Sequence, residues 1–169
     1  MQLRMRRPDL DDLPPLPTGV QRATGADADG LARLLDAAFT KEWTPARVRR
    51  ELLDEPDVRD TYLVRRGRLA VATASALVRA DQPDVGILHW VASDPALRGR
   101  GLGLTVTLAV LRRFAADGLA ASILHTDDDR LPAISAYLRL GYVPEYPDQR
   151  HQDRWSRIFR RLSLRRHAR

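Results

Sequence analysis

Arginine and glycine alternate through the segment Arg98–Gly103, which reads R-G-R-G-L-G and is the stretch of the chain best suited to chemistry. Glycine lets a ligand approach the backbone closely, and the free N–H groups at a helix N-terminus attract anions. The two arginines add positive charge beside such a site. If a helix begins here, the segment predicts a binding site for a phosphate or pyrophosphate.

The flanking residues predict a strand before this segment and a helix after it. Ile87–Ser93 is mostly apolar, which suits a buried strand. Asp94-Pro95 ends the strand, because proline cannot donate to a ladder and restrains the residue before it. A helix is predicted from the spacing of Leu104, Leu108, Leu111 and Ala115, with Gly118 placed as its C-terminal cap.

Two common glycine motifs for phosphate binding do not fit the segment. The dinucleotide pattern G-x-G-x-x-G would need glycine where Leu104 or Val106 stands. The P-loop needs a lysine after its last glycine, and the only lysine of the chain is Lys41. The remaining pattern is R-x-x-G-x-G, formed by Arg98, Gly101 and Gly103.

This pattern, following a strand and a proline, resembles the GNAT acetyltransferase superfamily, in which the segment binds the pyrophosphate of acetyl-CoA. A second stretch is similar to that family's pattern N-x-x-A-x-x-x-Y-x-x-x-G-[FY], which also follows a strand. The matching residues are Ala133, Tyr137, Gly141 and Tyr142, whereas Arg130 stands where the family commonly has Asn. The two resemblances together span about residues 87–146.

The resemblance implies an α/β fold whose central sheet is mixed, mostly antiparallel and splayed at the acetyl-CoA site, with helices on both faces. It implies acetyl-CoA as cosubstrate and no metal. In the family, pantetheine binds the edge of the central strand, and Arg130 could meet a cofactor or substrate oxygen in place of the family's Asn. The implied cofactor-binding residues are Val91, Ala92, Ser93, Arg98, Gly99, Arg100, Gly101, Leu102, Gly103 and Arg130.

Acetyl transfer to an amine needs a base and benefits from an acid. An alkyl amine with a pKa of about 10.4 is almost fully protonated at pH 7. The resemblance makes Tyr137 the candidate acid for the leaving thiolate, with a packing role in the core as the alternative. His125, before the motif's Asn position, is the leading base and His89 is the rival. On simple alternation His89 shares a side of its strand with Val91 and Ser93.

The rest of the chain predicts further strands and helices in alternation. Hydrophobic spacing and capping residues predict helices over Asp27–Phe39 and Thr44–Leu53. Predicted strands cover Val20–Ala23, Thr61–Val64, Leu69–Val78, Ser122–Thr126 and Tyr142–Tyr146.

Composition fits one globular domain over residues 1–169, with 44% hydrophobic and 30% charged residues. Residues 1–19 are predicted to be an extended lead-in, and residues 150–169 a basic, helical C-terminal tail. Cysteine is absent, which excludes disulfides and thiolate chemistry. No apolar run of about 18 residues and no secretory-type segment is present, so we expect a cytoplasmic protein without a membrane partner.

The residues and the resemblance together predict an N-acetyltransferase that moves acetyl from acetyl-CoA to a primary amine of a small molecule or a protein N-terminus. One alternative is a catalytically silent acyl-CoA-binding sensor. Another is nucleic-acid binding, because the net charge is +6 and the tail is rich in arginine. We rank it last, since the tail has no groove-reading motif, and a homodimer is left open. The tail arginines are Arg157, Arg160, Arg161, Arg165 and Arg166.

Overall fold

The computed structural model describes residues 2–39 and 41–167, with side chains through Leu164. Over these residues seven strands form one open sheet, covered by five α-helices. The strands are β1 Leu3–Arg7, β2 Val20–Arg22, β3 Val58–Arg66, β4 Leu69–Val78, β5 Val85–Ser93, β6 Ala121–Thr126 and β7 Val143–Pro144. The helices are α1 Ala28–Ala38, α2 Pro45–Val48, α3 Leu102–Ala116, α4 Leu131–Arg139 and α5 Gln149–His167. A π-helical turn, Arg49–Leu53, continues α2.

The sheet has the strand order β2-β3-β4-β5-β6-β1-β7. Every neighbouring pair is antiparallel except β5 and β6, which run parallel. The connection between these two parallel strands contains α3, as a parallel pair requires a crossover. The predicted mixed, mostly antiparallel sheet is therefore confirmed.

The two parallel strands separate partway along their length. Val85–Leu88 of β5 pairs with Ala121–Leu124 of β6. Beyond Leu88 and Leu124 no pairing joins them in the described structure, although β5 runs on to Ser93 and β6 to Thr126. The sheet is thus splayed at this point, and one edge of β5 faces an opening.

Each face of the sheet has its own hydrophobic core, as strand alternation requires. On the first, here called the α3 face, α3, α4 and α5 pack against inward-facing strand residues such as Ala74, Leu88 and Leu124. On the second, the α1 face, α1 and α2 pack with Leu63 of β3. Gly86 is required on the α3 face, because a Cβ there would lie 2.5 Å from the Phe114 ring.

The N-terminal segment differs from the extended lead-in that the sequence predicted. Its first residues form β1, which lies between β6 and β7 in the sheet. Leu3 and Met5 are fully buried, while Arg4 and Arg6 at the alternate positions are only partly buried. This alternation is the signal of a half-buried strand, which sequence analysis overlooked because the proline-rich residues that follow dominate the segment.

The chain ends differ from prediction in extent. The predicted strand Tyr142–Tyr146 is reduced to β7, Val143–Pro144, followed by one further backbone hydrogen bond from Glu145 N–H to the carbonyl of Arg4. The structure has a long helix, α5, in the basic tail, and its Trp155 and Ile158 side chains are buried in the core on the α3 face. The side chains of the tail arginines Arg165 and Arg166 lie outside the described residues.

Candidate active site

Two histidines lie at the point where the sheet opens. His89 and His125 are the residues that follow the last paired positions, Leu88 and Leu124. Those leucines belong to the core on the α3 face, so alternation directs both histidines to the α1 face. The two residues proposed from sequence as alternative bases are therefore neighbours at the apex of one opening.

A β-bulge follows His89 and breaks the expected alternation of β5. Thr73 pairs with Ala92 and Ser75 with His89, so that two residues, Trp90 and Val91, oppose one residue of β4. Trp90 takes a left-handed backbone conformation with φ of 47°, which is rare for a bulky side chain. Such strained residues concentrate at functional sites.

The bulge corrects the predicted orientation of His89 relative to the residues after it. His89 lies opposite Ser75, whose hydroxyl contacts Thr61 on the α1 face. Val91 instead packs against the core on the α3 face, and alternation places Ser93 on that face too. His89 and Val91 are therefore directed to opposite faces, although both border the same opening.

Burial keeps the His89 imidazole neutral. It lowers the pKa of His89 to about 4, with Glu51 opposing the shift and Arg79 adding to it. The Nδ1 atom of His89 is buried without a hydrogen-bond partner in the described residues. A neutral ring with an unsatisfied nitrogen is available to accept or donate one hydrogen bond in the opening.

The side chain of His125 is more exposed to solvent than that of His89. Its side chain is exposed, whereas Leu124 and Thr126 on either side are buried. Partial burial lowers the pKa of His125 below its ordinary value, Arg4 lowers it further, and Glu145 opposes the shift. His125 is therefore also neutral at pH 7, but it meets solvent and is the stronger base of the two by this argument.

The arginine–glycine turn lies at the start of α3 and leaves open space around its backbone. Gly101 is the N-cap residue with φ of 73°, and Gly99 has φ of 80°. A Cβ built on either of them, or on Gly103, meets no atom within 4 Å. Arg98 and Arg100 are exposed and form no ion pair with the described residues. Free N–H groups, free guanidinium groups and open space fit a pyrophosphate.

Tyr137 lies on the other face of the sheet from the histidines. It belongs to the core on the α3 face and packs edge-on against Tyr142, with ring centroids 6.0 Å apart. Burial raises the pKa of Tyr137 to about 12, while the charge of Arg130 opposes the shift. The hydroxyl makes no hydrogen bond with the described residues. It therefore remains protonated and free to donate.

An aromatic cluster, which sequence analysis missed, borders the opening on the α1 face. Trp90 packs edge-on against Phe39 and Trp43, with ring centroids 5.3 Å and 4.8 Å away. Arg47 stacks on Trp43 at 4.0 Å and donates to Glu51. The sequence signal was weak, because Phe39 and Trp43 come from the junction of α1 and α2, far from any motif.

Arg130 connects this cluster to the other side of the opening. It is the residue before α4, and its guanidinium lies 4.4 Å from the centroid of the Phe39 ring. Phe39 in turn contacts Trp90. The Trp90–Phe39–Arg130 stack therefore joins β5 to the turn after β6, across the mouth of the splay on the α1 face.

Glu51 accepts a hydrogen bond from Arg47 of this aromatic cluster and also acts electrostatically on His89. Burial would raise the pKa of Glu51, but hydrogen bonds and charge from Arg47 and Arg50 hold it below its ordinary value. The carboxylate is therefore ionised at pH 7 on the α1 face. No group of three or more His, Cys, Asp or Glu residues within 2–39 and 41–167 could hold a metal ion.

Comparison with known proteins agrees with this arrangement. The profile of the Acetyltransferase (GNAT) family matches residues 28–142, which is more than half of the chain. The chain belongs to the GNAT acetyltransferase family. The match covers both histidines, the arginine–glycine turn and Tyr137.

Individual relatives place the chain within this family. It is 32% identical to the mycothiol acetyltransferase of Mycobacteroides abscessus over 165 residues, covering 87% of this chain and 54% of that protein. A GNAT acetyltransferase from Colwellia psychrerythraea has the same fold, with a TM-score of 0.71, 16% identity, and coverage of 85% and 53%. The ribosomal-protein-S18-alanine N-acetyltransferase of Escherichia coli gives a TM-score of 0.64, 17% identity, and coverage of 75% and 78%.

This chain also differs in length from its curated GNAT relatives. It spans about half the length of the curated relatives that it matches over most of its own length. Among the helices described here, none combines the length and apolarity needed to cross a bilayer.

Proposed function

We propose that the chain transfers an acetyl group from acetyl-CoA to a primary amine. The observation that carries the proposal is the splay itself. At one place the structure combines an unpaired edge of β5, a glycine turn opening α3, and ionisable side chains on both faces. A thioester held in this opening is reached by an amine from the α1 face and by a proton donor from the α3 face.

The turn at Arg98–Gly103 is suited to the pyrophosphate of acetyl-CoA, with N–H groups of Leu102 and Gly103 and the two arginines as donors. The β5 edge at Val91–Ser93 is suited to the amides of pantetheine, because its backbone groups have no partner strand on the β6 side. A thioester carbonyl beside that edge would meet N–H donors where negative charge develops.

The base proposed for the amine is His125, directly or through a water molecule. It is exposed, neutral at pH 7 and next to the apex of the opening. His89 is the alternative, but its low pKa makes it a weaker proton acceptor. Its unsatisfied Nδ1 is better suited to orienting the amine by a hydrogen bond.

The acid proposed for the departing thiolate is Tyr137. A free thiol has a pKa of about 8.5, so complete proton transfer from a tyrosine of pKa about 12 would be uphill in isolation. The same burial that raises the pKa of Tyr137 also raises that of a thiol beside it. Tyr137 therefore stabilises the thiolate by a strong hydrogen bond and transfers the proton as the thiol is released.

The names of the relatives guide the choice of acceptors. Mycothiol acetyltransferases share about a third of their aligned residues with this chain, so amines of the mycothiol type are the first acceptors to test. A peptide with an N-terminal alanine is the second, following the name of a protein that shares the fold.

The test combines acetyl-CoA binding with an acceptor screen. Calorimetry should show binding of acetyl-CoA, and free thiol should be released in the presence of an amine but not in its absence. Binding without transfer to any amine would instead support a silent acyl-CoA-binding module. Absence of binding would contradict the proposal altogether.

A further inference from the structure

Building on the proposed function, we propose that Arg130 binds an anionic group of the acceptor. The chain would then prefer primary amines that also carry a carboxylate or a phosphate. This assigns Arg130, which stands where the family commonly has Asn, to the acceptor rather than to acetyl-CoA.

The first observation is where the guanidinium lies. Arg130 precedes α4, whose buried side chains face the core on the α3 face, yet its own side chain reaches the α1 face. There it stacks on Phe39 at 4.4 Å, and Phe39 packs on Trp90 of the bulge. The charge is therefore held at the mouth of the opening, against the α1 face from which the proposed function brings the amine, and near enough to Tyr137 to act on its pKa.

The second observation is that this charge has no partner. The Arg130 guanidinium makes no hydrogen bond or ion pair with the residues that the structure describes; only the backbone of Arg130 is hydrogen-bonded. By contrast, Arg47 in the same cluster donates to Glu51 and to the carbonyl of Glu42. A guanidinium offers five N–H donors in a planar fork that matches a carboxylate or phosphate. Stacking on Phe39 fixes the plane of that fork and leaves its donors free.

A second cation points to the same place. The ammonium of Lys41, the only lysine in the chain, lies 5.8 Å from the centroid of the Trp90 ring. Like Arg130, it has no ion-pair partner within the described ranges. Each of the adjoining rings Phe39 and Trp90 thus lies beside a cation that has no ion-pair partner in the described structure, which favours binding of an anion nearby.

The nearby carboxylates do not neutralise Arg130. Asp128 is held by Arg154. Asp127 and Asp129 are exposed, and no ion pair joins either to Arg130 in the described structure. Their charge, and that of Glu51, suits the ammonium end of an arriving acceptor. The arrangement as a whole fits a molecule with an amine at one end and an anion at the other.

The test uses pairs of acceptors that differ in the anion and keep the primary amine. γ-Aminobutyrate is compared with its amide, and phosphoethanolamine with ethanolamine. Charge-assisted hydrogen bonds of about 1.5–3 kcal/mol predict that kcat/KM is about 10- to 100-fold higher for the anionic member. The pair with the larger ratio tells whether carboxylate or phosphate is preferred.

Variants then assign the preference to one residue. Arg130→Gln should reduce the ratio to about 1, and Arg130→Lys should keep part of it, because a point charge lacks the planar fork. The matched control is Arg139→Gln, an exposed arginine at the other end of α4, which should keep the wild-type ratio. The affinity for acetyl-CoA should be unchanged in all three variants.

Three results would overturn the inference. One is transfer that ignores or disfavours the anion in the wild-type chain, and another is a ratio that survives Arg130→Gln. The third is a loss of acetyl-CoA affinity in Arg130→Gln with the ratio intact, which would place Arg130 on the cofactor.

Binding gives a readout even without turnover. With CoA present, N-acetyl-γ-aminobutyrate should quench the fluorescence of Trp90 and Trp43 at lower concentration than its amide does, and equal quenching would count against Arg130. Failure of the proposed function looks different, because acetyl-CoA then fails to bind or no amine is acetylated.

Discussion

The two sides of the opening are encoded in the chain in different ways. The side proposed to bind acetyl-CoA, here called the cofactor side, consists of the arginine–glycine turn and α3, which are continuous in sequence and follow β5. The side proposed to bind the amine, the acceptor side, is assembled from Phe39 and Trp43 near α1 and α2, Trp90 on β5, and Arg130 before α4. One side is a local structure, and the other exists only after the chain has folded.

This difference explains why a short sequence motif predicts the cofactor side but not the acceptor side. Phosphate binding at the turn requires glycines in particular backbone conformations, such as Gly101 at φ of 73°. The acceptor side requires contact among side chains distant in sequence, and a contact such as Arg130 over Phe39 has no fixed spacing. We therefore expect damage to the cofactor side to be general and damage to the acceptor side to be selective.

The largest effect is expected from filling the space in front of α3. Gly103 has ordinary helical geometry and open space around its Cβ position, so Gly103→Val causes little strain in the protein. The new side chain would occupy the phosphate site. We expect the affinity for acetyl-CoA, measured by calorimetry, to fall at least about 100-fold, a loss of about 2.7 kcal/mol.

A glycine elsewhere separates obstruction from strain. Gly67 in the β3–β4 turn has φ of 60° and open surroundings, so Gly67→Val strains the backbone far from the site. That variant should lose thermal stability and bind acetyl-CoA normally. Gly101→Val combines both effects, since Gly101 is also left-handed. If Gly103→Val and Gly101→Val both keep the wild-type affinity for acetyl-CoA, the phosphates do not bind at this turn.

The next effect concerns Tyr137, the proposed proton donor on the α3 face. Tyr137→Phe keeps the packing against Tyr142 and removes only the hydroxyl, so acetyl-CoA affinity should be retained. We expect kcat to fall about 10- to 1,000-fold, the range for one proton-transfer group.

Tyr142→Phe provides the control for the loss of a buried hydroxyl. The Tyr142 hydroxyl lies 2.6 Å from Ser122 Oγ in the core. Its removal should cost about 1–3 kcal/mol in the free energy of unfolding and leave kcat unchanged. If Tyr137→Phe likewise leaves kcat unchanged, then Tyr137 is only a packing residue.

The sequence predicted most of the fold, and it failed where tertiary contacts decide the structure. The run of apolar residues and the glycine turn predicted β5 and α3, and the family resemblance implied the splay between β5 and β6. Alternation alone could not reveal the bulge at Trp90, because it arises from pairing with β4. It therefore gave the wrong relative orientation for His89 and Val91. β1 was missed for a related reason, since its role depends on a partner strand more than a hundred residues away.

A smaller effect is expected from replacing the proposed base, and the pKa values of the two histidines indicate the pH range in which to measure it. A neutral imidazole accepts a proton and an imidazolium does not, so kcat/KM should rise with pH through the pKa of the base and level off above it. Burial lowers the pKa of His89 to about 4 and lowers the pKa of His125 below its ordinary value. A limb near pH 4 indicates His89, and a limb at higher pH that disappears in His125→Ala indicates His125. The limb from the amine itself lies higher and moves with the pKa of the acceptor.

Two alanine variants complete this assignment. His125→Ala should abolish the lower limb and reduce kcat/KM about 10- to 100-fold near neutral pH, while His89→Ala should keep the limb. If the limb persists in His125→Ala and disappears in His89→Ala, the buried histidine is the base. If it persists in both, a carboxylate takes the proton, and Glu51 on the α1 face is then the group to replace.

The smallest effect tests whether the parts of the acceptor side that border β5 and β6 are coupled. Arg130 and Phe39 form the link across the mouth, so a double-mutant cycle of Arg130→Gln and Phe39→Leu should show a coupling of about 0.5–1 kcal/mol in the free energy of unfolding. Phe159 on α5 has no ring contact with Arg130, so Phe159→Leu paired with Arg130→Gln should give no coupling.

Activity measurements show whether the contact between Arg130 and Phe39 shapes the entrance for the acceptor or only stabilises the fold. If the stack sets the width of the mouth, Phe39→Leu should lower kcat/KM for bulky amines less than for small ones, because a wider mouth no longer holds a small acceptor against Trp90. Acetyl-CoA affinity should stay constant, since the turn before α3 does not touch Phe39. Equal losses for small and bulky acceptors would show that the stack stabilises the fold without shaping the entrance. The acceptor side would then depend on the charge of Arg130 alone.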